Sequence, residues 1–191
     1  MNATASDNGL QGHVFIATSL DGFIACRDGS IEWLEDQAQR AAALDACDHG
    51  YAGFLAGMDG IVMGRGTFEK VLSFEAWPFE KPVVVLSHSL ASTPPRPDLA
   101  GRVRILALSP REVAGHLASL GWKHAYIDGG QVIQSFLREG LISDLVITRI
   151  PVLLGDGLSL FGVLESAIAL RHLGTQAFPS GFVQSRYEVA R

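Results

Sequence analysis

Apolar positions along this chain fall into short bursts separated by turn residues. His13–Leu20, HVFIATSL, is β-branched and apolar, and Asp21-Gly22 behind it is a strong hairpin signal. Phe23, Ile24 and Ala25 resume the extended pattern before a second turn at Asp28-Gly29. Gly60–Gly64 is a short, fully apolar strand, Lys81–Ser87 (KPVVVLS) is another, and Val103–Leu108 is a weaker one. Lys123–Ile127 and the long run Leu145–Val152, broken by Pro151, continue the series. Ile168–Thr175 and Phe182–Ala190 read as two last strands joined by a Phe-Pro-Ser-Gly turn.

Helical spacing fills the intervals. The alanine-rich stretch from about Gln37 to Gly57 carries Leu44, Cys47, Tyr51, Phe54 and Leu55 at helical positions. A helix opens at Thr67, and Ser109-Pro110-Arg111-Glu112 sets an N-cap, a first-position proline and a first-turn acid for a helix to about Leu120. Gln131–Glu139 is helical and ends at Gly140, while the Ser/Thr/Pro-rich segment 91–98 is a surface loop. Strands alternate with helices until the end, where strand follows strand. That order predicts an α/β fold with a mostly parallel sheet, helices on both faces and an antiparallel C-terminal hairpin.

Composition narrows the class. At 191 residues the chain fits one domain, expected over 13–191 behind a flexible tail, 1–12. With 48 % hydrophobic and 18 % charged residues it reads as a buried-sheet protein, and a net charge of −5 disfavours a nucleic-acid or anionic-membrane surface. The first residues, MNATASDNGLQG, lack the basic and apolar regions of a signal peptide, and no apolar run reaches the ~18 residues of a spanning helix. The expectation is a soluble, cytoplasmic protein. Cys26 and Cys47 have no metal spacing and read as free thiols. No Ser-His-Asp ordering or nucleophile elbow is present, which removes the hydrolase readings.

Two places share one layout of buried strand, glycine turn and helix: IVMGRGTFEKV and HAYIDGGQVIQSFL. In an open α/β sheet, ligands sit beyond the carboxyl ends of the strands, where helix N-termini direct free N–H groups outward. Glycine there lets backbone approach an anion without a Cβ in the way. Two such cradles on one sheet suit a long ligand with separated phosphates. Arg65, set between Gly64 and Gly66, offers a fork for a phosphate monoester such as the 2′-phosphate that separates NADP from NAD. Neither site matches the GxGxxG fingerprint, so a tight structural loop is the competing reading of each.

SLDGFIA, DGIVMGRGTFE, VVVLS, YIDGGQVIQSFL and LISDLVITRIPVLLGDGLSLF occur in that order and together resemble the dihydrofolate-reductase-like superfamily. The similar branch is the one containing the reductase domain of riboflavin biosynthesis, here in stand-alone form, and the likeness covers His13 to Arg191. It implies a dihydrofolate-reductase-like three-layer sandwich, NADPH bound across the C-terminal edge of its twisted sheet, and oxidoreductase activity. Ala17 resembles the first-strand position that meets the nicotinamide, and Gly64, Arg65, Gly66 and Thr67 resemble the adenosine-phosphate block. Ser87 and His88 resemble the adenine side, and Asp128, Gly129, Gly130, Gln131 and Val132 the pyrophosphate-binding helix start.

Hydride transfer needs positioning more than acid–base groups, because the cofactor carries the difficult chemistry. Candidate acids are Asp21, Glu32, Glu35 and Asp36. Asp21 leads, since SLDG matches the motif that places an aspartate beside the substrate of the riboflavin-pathway reductases. Asp-Gly is equally the ordinary hairpin dipeptide, so Asp21 serves the turn, the substrate or both. Trp33 resembles the tryptophan on the loop covering the active site of dihydrofolate reductases. Glu35 and Asp36 do not fall at the position of the pterin-binding carboxylate, which disfavours a folate reductase, and Arg149 is a candidate for a substrate phosphate. The resemblance thus implies an NADPH-dependent reductase of a small heterocyclic or phosphoribosylamino-pyrimidine-like substrate. Alternatives are dihydrofolate reductase and a non-catalytic nucleotide-binding domain. The apolar segment 145–164, too large for one core to cover, predicts a homodimer.

Overall fold

The computed structural model describes residues 9–45, 47–92 and 95–190. Its centre is made by the apolar runs. Ile61, Val62 and Met63 are wholly buried although they are consecutive, so both faces of their strand are covered. The strands are β1 (Gln11–Ser19), β2 (Phe23–Ala25), β3 (Gly60–Gly64), β4 (Val83–Leu86) and β5 (Val103–Leu106). They continue as β6 (His124–Asp128), β7 (Ile142–Ile150), β8 (Leu158–Ser159), β9 (Leu170–Ala177) and β10 (Val183–Val189). The main sheet runs β5-β4-β3-β6-β1-β7-β10-β9. Its neighbours are parallel from β5 through to β7, and β10 then pairs antiparallel with both β7 and β9.

Among the described residues five α-helices flank it: α1 (Glu32–Ala42), α2 (Tyr51–Ala56), α3 (Arg65–Leu72), α4 (Pro110–Ser119) and α5 (Gly130–Arg138). Val113 and Leu117 of α4 and Ile133 and Phe136 of α5 pack with Val14, Val62 and Ile127 in one core. Phe68 and Val71 of α3 and Phe54 of α2 pack with Ile61, Met63 and Tyr126 in a second. Trp33, Leu34 and Ala41 of α1 meet Ala17, Ile150 and Phe182 in a third, smaller one. The expected α/β class, mostly parallel sheet and C-terminal hairpin are therefore present. Among the described residues no helix is long and apolar enough to cross a membrane.

The helix expected over 37–57 is two helices. Helix α1 starts earlier, at Glu32, and the chain breaks after Ala42, where His49 (φ 56°) and Gly50 (φ 85°) turn left-handed. Buried Asp45 holds that break: its carboxylate accepts from the Ser180 amide at 2.9 Å and lies 2.8 Å from His49 Nε2. Tertiary bonds override helical spacing there. The helix expected from Thr67 begins two residues sooner, and β7 begins at Ile142. The two-residue strand β8 pairs with β2 in a separate ribbon that the apolar pattern did not show. Of the expected tail, residues 1–8 lie outside the described residues, and Gln11 and Gly12 already belong to β1.

Candidate active site

The two glycine junctions sit side by side. Strands β3 and β6 are parallel neighbours with Met63 opposite Asp128, which sets the starts of α3 and α5 next to one another at the carboxyl edge. Val132 of α5 packs beneath Gly64, where an added Cβ would come within 3.1 Å of its Cγ2. A Cβ on Gly129 would lie 2.3 Å from Thr67 Oγ1. Gly64 and Gly129 are the N-caps, and neither helix start receives a side-chain cap. By contrast α4 closes its own amides with the reciprocal Ser109–Glu112 box. The first-turn N–H groups of α3 and α5 are thus left for an anion, which suits the phosphates of a dinucleotide.

Arg65 occupies the first turn of α3, exposed, with Nη1 donating to Ser89 Oγ at 3.5 Å and Nε 3.9 Å from Glu69. Ser87 follows β4 next door, with its hydroxyl 3.2 Å from that of Ser89 and accepting from the Leu90 amide. His88 is exposed beside it. Arg65, Ser87 and Ser89 form one polar corner, and Ser89 was missed because no motif marks it. Along the edge follow Ser87, Gly64–Thr67, Asp128–Val132 and Ala17, on four adjacent strands spanning about 14 Å. Gln131 is exposed at the second position of α5, whereas Val132 is buried and has only its backbone to offer.

Asp128 closes β6. Its carboxylate accepts from the Gly129 amide at 2.9 Å, yet desolvation outweighs that bond and pushes its pKa up to about 6. Below it lie Tyr51, Tyr126, Phe15 and Phe54, with ring centroids 5.1–6.3 Å apart. The Tyr126 hydroxyl donates to the Phe15 carbonyl at 3.0 Å. Burial and the nearby Asp128 push the Tyr51 phenol up to about 12. Helical spacing alone marks Tyr51 as a helix-face aromatic, because its proximity to Asp128 arises from the fold.

The remaining candidates divide. Asp21 is exposed, and its carboxylate accepts from Ser19 Oγ at 2.5 Å, the Leu154 amide at 3.2 Å and the Gly155 amide at 2.7 Å. Those bonds, Ser19 foremost, hold its pKa below the usual range and tie the β1–β2 turn to the Gly155 loop. Trp33 packs against the same small core as Ala17, and its indole N–H is buried without a partner among the described residues. Glu35 and Asp36 lie exposed on α1, with Glu35 3.6 Å from Lys70 of α3. Thr148 and Ile150 face α1 and its following loop through Gln184 and Ala41, so the alternation of β7 turns Arg149 to the opposite face.

A groove of about 1040 Å³ opens at the other end of the strands, between α2 and β7–β10–β9, and is lined by Phe54, Asp144, Leu173 and Arg186. Buried His13 reaches its rim, with Nδ1 2.6 Å from Asp144 and Nε2 3.0 Å from His124. It holds none of the candidate cofactor residues.

The sequence model of the RibD C-terminal domain matches residues 12–184. The chain is 33% identical to the uncharacterized protein YwjB of Bacillus subtilis over 169 residues, covering 86% of this chain and 90% of that one. The crystal structure of a putative riboflavin biosynthesis protein from Shewanella sp. PV-4 matches at TM-score 0.83 with 37% identity, over 95% of this chain and 100% of that one. A Thermotoga maritima diaminohydroxyphosphoribosylaminopyrimidine deaminase/5-amino-6-(5-phosphoribosylamino)uracil reductase matches in fold, at TM-score 0.74 and 13% identity, over 97% of this chain and 58% of that longer protein.

Proposed function

The chain belongs to the RibD C-terminal domain family, and on that footing we propose that it is an NADPH-dependent oxidoreductase. It passes hydride to a small heterocycle, the class that includes phosphoribosylamino-pyrimidines such as the compound named for the Thermotoga reductase. The observation that carries the reading is the pair of uncapped helix starts side by side, with Arg65 at one and Asp128 at the other.

Arg65, Ser87 and Ser89 would hold the 2′-phosphate, and the amides of Gly130 and Gln131 would hold the pyrophosphate. Ala17 and Trp33 wall the nicotinamide end. When bound there, the cofactor would supply a hydride for an electrophilic carbon of a C=N or C=O bond. The atom at the other end of that bond needs a proton, and Asp128 is the group we assign to give it. A carboxyl near pKa 6 is protonated in useful amount close to neutrality, whereas an ordinary aspartate is not. Asp21 shapes the substrate wall from the turn, and Glu35 and Asp36 border its mouth.

The test is titration of NADPH by fluorescence quenching, followed by NADPH oxidation against a panel of reducible pyrimidines and pterins. Turnover that falls as pH rises through about 6 is expected from Asp128. Quenching with no turnover on any compound would leave a nucleotide-binding domain, and no quenching would remove the reading altogether. The protein acts in the cytoplasm as a homodimer. Within 145–164, Leu145, Ile150 and Leu160 are buried, but Leu153, Phe161 and Val163 are 68%, 46% and 87% exposed and form the pairing surface. Light scattering at micromolar concentration checks this, and a 20.5 kDa monomer would end it.

A further inference from the structure

We propose that Asp21 is a positioning residue for the cofactor, acting on the start of α5 through the β2–β8 ribbon. This rests on the NADPH reading and extends it to a residue outside both glycine cradles. The Asp21 carboxylate is engaged by the chain itself. Oδ1 accepts from the Ser19 hydroxyl and the Leu154 amide, and Oδ2 accepts from the Gly155 amide. Ser19 is wholly buried and gives its one hydroxyl proton to Asp21, so it meets the Phe23 amide as an acceptor, at 2.9 Å. Phe23 opens β2, and Leu154 and Gly155 lead into β8. One side chain therefore ties the entry to β2 to the loop that feeds β8.

That ribbon lies against α5. Phe23 pairs with Ser159 and Ala25 with Leu158, and the Leu160 amide donates to the Gly22 carbonyl at 3.1 Å. Ile24 Cδ1 and the Ser159 carbonyl would stand 2.9 and 3.1 Å from a Cβ on Gly130, so ribbon and helix start are in close contact. One turn further on, Gln134 Nε2 donates to the Ser159 and Leu160 carbonyls at 3.2 and 3.1 Å. Gly130 is the first residue of α5, and its amide and that of Gln131 are the pair assigned to the pyrophosphate. Charge-assisted bonds to an anion are short, about 2.7–2.9 Å, so small displacements of those amides weaken them. Asparagine at position 21 keeps the size but sets an NH₂ against the Gly155 N–H, donor against donor, and loosens the ribbon at that bond.

The experiment measures binding to the parent, Asp21→Asn, Ile24→Ala and the double variant. NADPH is followed by fluorescence quenching, and 2′-phospho-ADP-ribose and 2′-AMP by their displacement of it. Asp21→Asn should weaken NADPH and 2′-phospho-ADP-ribose alike, by roughly two- to thirtyfold. It should leave 2′-AMP unchanged, because that probe has no pyrophosphate, and this also reports an intact fold. Ile24→Ala removes the contact with Gly130 while sparing Asp21, and should give the same pattern. The double variant should lose little more than the weaker-binding single one, as expected when two residues act along one route. NADPH binding untouched by Asp21→Asn, an equal loss for 2′-AMP, a loss confined to NADPH, or additive losses in the double variant would each overturn the proposal. A parent protein that does not bind NADPH would instead remove the reductase reading, and this one with it.

Discussion

At the β3–α3 junction Gly64 has an ordinary extended φ of −87°, and a Cβ on Gly66 would meet nothing within 4 Å. At the β6–α5 junction Gly129 is left-handed at φ 90°, and a Cβ on it would strike Thr67 Oγ1 at 2.3 Å. A Cβ on Gly130 would press Ile24 at 2.9 Å and the Ser159 carbonyl at 3.1 Å. Both stretches read alike in sequence as strand, glycines, helix. The second needs its glycines in order to fold, whereas the first has room for a side chain at Gly66 and owes its character to Arg65. One cradle is made by backbone and the other by a side chain, so damage to each should look different.

The largest effect should come from Gly129→Ala. A left-handed alanine driven into Thr67 should cost roughly 2–6 kcal/mol. Chemical denaturation measures it, and a loss below about 0.5 kcal/mol would show that the junctions are equivalent.

Asp128→Asn separates chemistry from stability at the same junction. Turnover should fall roughly 10²- to 10⁴-fold through loss of the proton donor. The sign for stability is the reverse. A carboxyl raised from 3.8 to about 6 keeps its proton in the folded chain after the unfolded chain has lost it. The parent therefore loses stability as pH rises from about 4 to about 6, and asparagine removes that loss. The variant should be about 3 kcal/mol more stable than the parent at pH 7 and no more stable at pH 3. Parallel melts at the two pH values decide this, and a destabilised variant would make Asp128 a purely structural ligand of Gly129.

Arg65→Ala should leave folding untouched. Each charge-assisted bond to a phosphate is worth roughly 1.5–3 kcal/mol, so NADPH should weaken roughly ten- to a hundredfold per bond lost, and NADH hardly at all. Calorimetric titration with both cofactors reads the difference, and equal losses would move Arg65 from the 2′-phosphate to the pyrophosphate or the fold.

Gly66→Ala is the smallest change expected. It should raise stability by about 0.5 kcal/mol, because alanine costs the unfolded chain less entropy in a helical position. A weaker grip on NADPH in that stable variant would show that the cofactor backbone passes close over Gly66.

Much of this was legible in the chain itself. Continuous apolar runs marked Gly60–Gly64 and Lys81–Ser87 as buried strands, and Ser109 to Glu112 marked the start of α4, because these signals reside within a few neighbouring residues. The break at Ala43–Gly50 was not legible, since Asp45 finds Ser180 and Gln184 reaches the His49 carbonyl only in the folded chain. Asp21 showed both of its possible roles in Asp-Gly, but the amides of Leu154 and Gly155 that engage it arrive from a distant loop.

Period, turn chemistry and capping are local properties, so the sequence by itself determined the elements, the α/β class and the two glycine cradles. Strand order brought those cradles together, by seating β6 beside β3 and β1 beside β6. Desolvation and charge at one point sum over groups from the whole chain. Only the tertiary structure could therefore raise Asp128, set Tyr51 near it and turn Arg149 away.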